Sequence, residues 1–240
     1  MMKKYEDILR VAAAFVLSQL AGVLLMAAFR GLSSGYGSAF LLNIICVLGV
    51  NTAVHFAICG RISLPQKKAD YSRFEPFIFL FVAVLFSCLV TFVIRLLPLD
   101  MGSSSEKLSG MEFWLHALYT VVLAPLSEEL AFRGAVLSRL SERGETAAAV
   151  ISALFFAAYH MSLVQLPYTF VLGYFLAVLA LRSGSVVPCI LVHAANNLLS
   201  LAAGYCEAAA PVIDISVPVL GAAGLVWLVV TGRLWRKKKK

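Results

Sequence analysis

Glu128, Glu129 and Arg133 lie in the stretch SEELAFRG, within a chain whose long apolar runs carry no charge. A charged side chain at the centre of a bilayer costs about 3 kcal/mol or more, so these groups need a reason to be there. Glu129 and Arg133 are one helical turn apart, with the carboxylate on the N-terminal side, the favourable order for an ion pair. Glu128 is turned about 100° away on the same helix and does not share that partner. The spacing therefore divides the motif. Glu129–Arg133 reads as a compensated structural pair, and Glu128 as a lone carboxylate able to accept and release a proton.

Two further constellations follow. FFAAYH places Phe156 and His160 on one helical face, and imidazole is the side chain suited to proton transfer near neutral pH. HAANN places His193 with Asn197 one turn on, or with Asn196 three residues on, and spacing alone does not choose between them. An imidazole and an amide on one face can donate hydrogen bonds to a developing oxyanion. Other polar residues have simpler readings. His55, one turn after Asn51, reads as an interhelical polar pair. His116 reads as interfacial, Arg95 as snorkelling outward, and Tyr168 and Tyr174 as packing or interface aromatics. The Glu–Glu–Arg, His and His–Asn groups differ from these because they fall in consecutive spans of an otherwise apolar half.

The elements that must position these groups are membrane helices. Of the 240 residues, 61% are hydrophobic and 14% charged, against roughly 25% charged in soluble domains. Spans of about 20 apolar residues are predicted near 9–29, 39–59, 77–97, 113–130 (continuing to 140), 147–159, 163–181, 186–201 and 212–230. The first run is too long for the apolar core of a signal peptide and reads as a retained span. The expected fold is an all-α polytopic bundle of about eight transmembrane helices.

Charge sets its orientation. One side receives Lys3, Lys4, Arg10, Arg61, Lys67, Lys68, Arg73, Arg139, Arg143, Arg182 and the terminal RLWRKKKK. The other receives Arg30, Lys107 and Arg95, with several acids. By the positive-inside rule both termini are cytoplasmic. The basic tail directly after an apolar span reads as an anchor beside anionic lipid, not as a nucleic-acid site. DMGSSSEKLSG reads as a short outer loop. The five cysteines form no C-x-x-C pair and read as buried thiols without a redox or zinc signal. The fourth segment, 113–140, would be about 42 Å long as a helix. That exceeds a hydrocarbon core of about 30 Å, and Pro125 is expected to kink it.

EELAFR fits E-E-x-x-x-R, FAAYH fits F-x-x-x-H and HAANN fits H-x-x-x-N. In that order the three patterns resemble the CPBP intramembrane proteases, which include the type II (Rce1-like) CAAX prenyl endopeptidases and bacterial bacteriocin-processing or self-immunity proteins. The resemblance covers Pro125 to about Ser200. It implies a catalytic set of Glu128, His160, His193 and Asn197, with Glu129, Arg133 and Phe156 in support, and it selects Asn197 over Asn196. Residues 1–110 are then three spans without a motif, 111–204 the catalytic core, and 205–240 a last span with its basic tail.

The implied reaction is peptide-bond hydrolysis within the membrane, Glu128 and His160 activating water and His193 and Asn197 stabilising the oxyanion. A rival version places Zn²⁺ on Glu128, His160 and His193. The chain lacks an H-E-x-x-H helix, which weighs toward direct glutamate–histidine activation. Expected partners are membrane lipids and a membrane-associated peptide or protein, lipidated or a bacterial signalling peptide, in the bacterial cell membrane. Two other classes compete: a non-catalytic immunity or regulatory protein of the same fold, and a proton-relay transporter. The transporter would want inverted repeats, and none is visible. One geometric tension stands: His160 counts near the outer boundary, and Glu128 and His193 nearer the middle or inner half. Either the fifth span begins deep, or HMSLVQLP folds back into a cavity.

Overall fold

The computed structural model describes residues 2–30, 38–96, 113–142, 144–163 and 165–205. The regular elements among them are all helical: α1 (Met2–Arg30), α2 (Ser38–Cys59), α3 (Glu75–Leu96), α4 (residues 113–141), α5 (Glu145–Tyr159), α6 (Leu166–Ser183) and α7 (Val187–Tyr205). The predicted span at 212–230, the basic tail, the outer loop DMGSSSEKLSG, Arg143 and Cys206 lie outside the described residues.

α1 packs along α2, α5 along α6, and α3 against α6 and α7. α4 runs through the middle and touches α2, α5, α6 and α7. Two stretches, Tyr5–Ala28 and Leu166–Ser183, are long and apolar enough to cross a membrane by length and composition, and α2, α3, α5 and α7 contain shorter apolar helical stretches. The buried core is mostly apolar, but it also encloses charged groups, and large apolar side chains face outward. Glu129 and Arg133 are fully buried, whereas Leu9, Phe77 and Trp114 are 67%, 69% and 77% exposed. Ionised groups inside and large apolar side chains outside suit helices surrounded by lipid.

One end of the bundle is held by polar ties between elements. Arg139 near the end of α4 donates to Asp7 at the start of α1, Nε to Oδ1 2.6 Å. Lys68, in the α2–α3 connection, pairs with Glu145 at the start of α5. Arg182 at the end of α6 grips Glu75 at the start of α3 with two bonds, 2.6 and 2.7 Å. The Lys68 amide donates to the Arg182 carbonyl at 2.9 Å. Gly184 ends α6 with φ +67°, and a Cβ there would stand 2.7 Å from the Pro65 carbonyl oxygen. Only glycine meets both the left-handed backbone and the close approach of that connection. The ends of α2, α4 and α6 thus share one level with the starts of α1, α3, α5 and α7, so successive helices alternate in direction.

Pro125 does not break α4. Leu123 and Ala124 keep helical dihedrals (φ −71°, ψ −45° and φ −65°, ψ −52°). The helix widens instead into two π-helical stretches, Leu118–Leu123 and Leu130–Leu137, on either side of Ala124–Glu129. Proline has no N–H to donate to the preceding turn, so the ladder must re-register around it. The irregularity expected at Pro125 takes the form of this change of pitch, and π turns gather at functional sites.

Candidate active site

α4 contributes Glu128, Glu129 and Arg133. α5 contributes Phe156, and His160 caps its C-terminal end. α6 contributes Tyr168 and Gly173, and α7 contributes His193, Asn196 and Asn197.

The predicted pair forms. Arg133 Nη1 donates to Glu129 Oε1 at 2.9 Å, with both side chains fully buried. Burying two ions costs several kcal/mol each unless further hydrogen bonds complete their shells. Here Arg133 Nη2 donates to the Gly173 carbonyl at 2.9 Å. The guanidinium also lies 4.3 Å from the centroid of the Phe156 ring, an attraction strengthened by desolvation. The same Glu129 oxygen lies 2.8 Å from His193 Nδ1, a partner that spacing within one helix could not reveal. A carboxylate paired with arginine only accepts hydrogen bonds. His193 therefore carries a proton on Nδ1, and Nε2 is its free position.

That free nitrogen faces Glu128. His193 Nε2 is 3.9 Å from Glu128 Oε2, and Glu128 is 7% exposed. The two neighbouring carboxylates thus address opposite ring nitrogens of one histidine. His160 joins through Phe156, its Nδ1 donating to the Phe156 carbonyl at 2.9 Å. This bond fixes a second histidine with Nε2 free. The Phe156 ring stands edge-on to both imidazoles, with centroids 4.9 Å from His160 and 5.8 Å from His193. α5 ends at Tyr159, and His160 and Met161 (φ 51°) follow it in the connection to α6.

Gly173 was not singled out by its sequence context. A Cβ there would meet Phe156 Cδ1 at 2.9 Å and Ala153 Cα at 3.3 Å. A glycine inside the apolar run VLGYF was the available signal of close helix approach.

Asn197 Nδ2 donates to the Thr120 carbonyl, in the first π-helical stretch of α4, at 2.9 Å. Its Oδ1 receives Asn196 Nδ2 at 3.4 Å. Asn196 Nδ2 is also 2.5 Å from the Tyr168 hydroxyl. Tyr168, expected to be a packing aromatic, thus holds a polar contact at the site.

The second helix also reaches the motif. Ser127 Oγ donates to the Leu48 carbonyl at 2.9 Å and lies 2.9 Å from Thr52 Oγ1. Asn51 Nδ2 approaches Ser127 Oγ at 3.5 Å. His55 bonds through Nδ1 to the Asn51 carbonyl at 2.8 Å and packs against Phe132, with centroids 5.4 Å apart. Its predicted interhelical polar contact runs through Asn51, not through the imidazole itself. Cys59 and Cys189 are buried free thiols, as expected, whereas Cys46 is half-buried.

The donor set does not fit a zinc ion. Among the described residues no three His, Cys, Asp or Glu side chains come together in a way that could hold a metal. The trio Glu128, His160 and His193 is thus not supported as a ligand set, and no chemistry is derived through a metal.

Residues 110–199 match the family model of the type II CAAX prenyl endopeptidases, Rce1-like. The match contains all three motifs and every charged, imidazole and amide group of the cluster, and it supports the resemblance over this segment. The family is one of membrane proteases. Searches of the curated proteins and of the solved structures give no match.

Proposed function

We propose that the protein is an intramembrane endopeptidase that hydrolyses a peptide bond in a membrane-associated or lipidated substrate. One observation carries the reading: within the Rce1-like segment, two buried carboxylates address the two ring nitrogens of His193 at 2.8 and 3.9 Å. A packing histidine needs no carboxylate at both ring nitrogens. This one is oriented on one side and faces a proton acceptor on the other.

In the proposed reaction, water is held by Glu128 and the free Nε2 of His160. Glu128 takes a proton as the water oxygen attacks the scissile carbonyl carbon. The tetrahedral oxyanion is stabilised by Asn197 Nδ2–H and by His193 Nε2 when it bears a proton. Collapse breaks the C–N bond, and the proton held by Glu128 passes to the leaving amine. Glu129 and Arg133 orient and compensate, and Phe156 spaces the two imidazoles.

The reading extends to topology. The end of the bundle tied by Arg139–Asp7, Lys68–Glu145 and Arg182–Glu75 is where the basic connections collect. By the positive-inside rule it faces the cytoplasm, which puts the start of α1 there. With the span predicted at 212–230, the chain would cross eight times and return its basic tail to the same side of a bacterial membrane. Cleavage of a farnesylated CAAX-ended peptide by purified protein, compared with Glu128→Gln, tests the proposal.

A further inference from the structure

The amide of Asn197 has two neighbours that agree on its orientation. The Thr120 carbonyl can only accept, so it requires the NH₂ group at 2.9 Å. Asn196 presents its own NH₂ to the opposite atom, Asn197 Oδ1, at 3.4 Å. If Asn197 were flipped, an oxygen would face a carbonyl and an NH₂ would face an NH₂. One hydrogen of Asn197 Nδ2 is spent on Thr120, and the other is left to donate.

Asn196 is itself held. It is 1% exposed, and its Nδ2 also reaches the Tyr168 hydroxyl at 2.5 Å. Both of its amide hydrogens are therefore in use, one toward α6 and one toward Asn197. Tyr168 comes from a different helix, so the orientation of Asn197 depends on the packing of α6 against α7.

We infer that Asn196 and Tyr168 are positioning residues for hydrolysis. Tyr168 fixes Asn196, Asn196 fixes the amide of Asn197, and the remaining Nδ2–H of Asn197 is thereby aimed as an oxyanion donor. The inference rests on the proposed role of Asn197. It adds the residue that spacing had set aside, Asn196, and one that reads as packing, Tyr168. A donor counts in catalysis only if it already points to where charge will develop, and small misplacement is expensive.

The test is a double-mutant cycle on purified protein in detergent, with a farnesylated CAAX-ended peptide as the probe. Tyr168→Phe removes only the hydroxyl and should lower kcat about tenfold, with KM little changed. Asn196→Ala should lower it by as much or more. In an Asn197→Ala background, neither substitution should cost further activity, because the group they position is gone. An equal loss in both backgrounds would overturn the inference and show a merely structural role. Wild-type protein that leaves the peptide intact would count against the proposed function instead. The inference is then read from the side-chain ¹⁵NH₂ signals of Asn197, assigned by their loss in Asn197→Ala. Tyr168→Phe should shift them and bring the two hydrogens toward equivalence, and unchanged signals would overturn it.

Discussion

His193 Nδ1 and Glu129 Oε1 meet at 2.8 Å across 64 positions of sequence. That oxygen is also the one Arg133 holds at 2.9 Å. The pair that looked self-contained on one helix is therefore also the fixture for a histidine on another. A purely structural ion pair would need only its two members, whereas here the carboxylate sets which ring nitrogen of His193 is free.

Glu129→Gln keeps the shape and removes the charge, leaving Arg133 buried and uncompensated. The expected loss of stability is about 3–5 kcal/mol, measured by denaturant unfolding in detergent. Arg133→Met should cost a similar amount by stranding Glu129. The double variant should cost clearly less than the two losses added together, because no lone charge remains. Full additivity would show that the two residues do not act as a pair.

Gly173→Ala adds a single methyl group, yet its Cβ would stand 2.9 Å from Phe156 Cδ1 and 3.3 Å from a backbone atom of α5. Phe156 must move, and it touches Arg133, His160 and His193. A destabilisation of about 1–3 kcal/mol is expected, with a disproportionate loss of peptide cleavage. A variant with wild-type melting and wild-type cleavage would contradict the close packing described.

Gly184→Ala probes the tied end of the bundle. It places a side chain at φ +67°, 2.7 Å from the Pro65 carbonyl oxygen. Thermal unfolding should show a loss of about 1–3 kcal/mol, with the connection between α2 and α3 becoming more open to protease.

Much of the cluster was legible in the sequence because its determinants are local. Glu129 and Arg133 meet because a helical turn brings i and i+4 together, and the apolar context makes the pairing obligatory. The division between Glu129 and Glu128 follows from the same periodicity. The contacts between helices were not legible. Nothing within HAANN says that His193 will reach Glu129 before Glu128, or that Asn196 will find Tyr168. Those contacts depend on the relative rotation and depth of α4, α6 and α7. The contact of His160 with Phe156, one turn before it, follows the helical spacing; the contact of Phe156 with His193 does not. Pro125 showed that the ladder must change, but two π-helical stretches and one kink are both ways of accommodating it.

Chelation separates the two versions of the chemistry. Proton transfer by Glu128 and the imidazoles, as proposed, needs no metal. Protein stripped of metal with a strong chelator and dialysed should cleave at the rate of the untreated protein. A loss restored by zinc would contradict the direct mechanism.

The central claim is that Glu128 does the chemistry while Glu129 and Arg133 hold the site. Its most direct test is cleavage of a farnesylated CAAX-ended peptide by the purified wild type and by Glu128→Gln, with unfolding followed on both. The predicted result is cleavage by the wild type, a fall of at least about a thousandfold in the variant, and unfolding midpoints that nearly coincide. Cleavage retained by Glu128→Gln, or its loss together with the fold, would contradict the account.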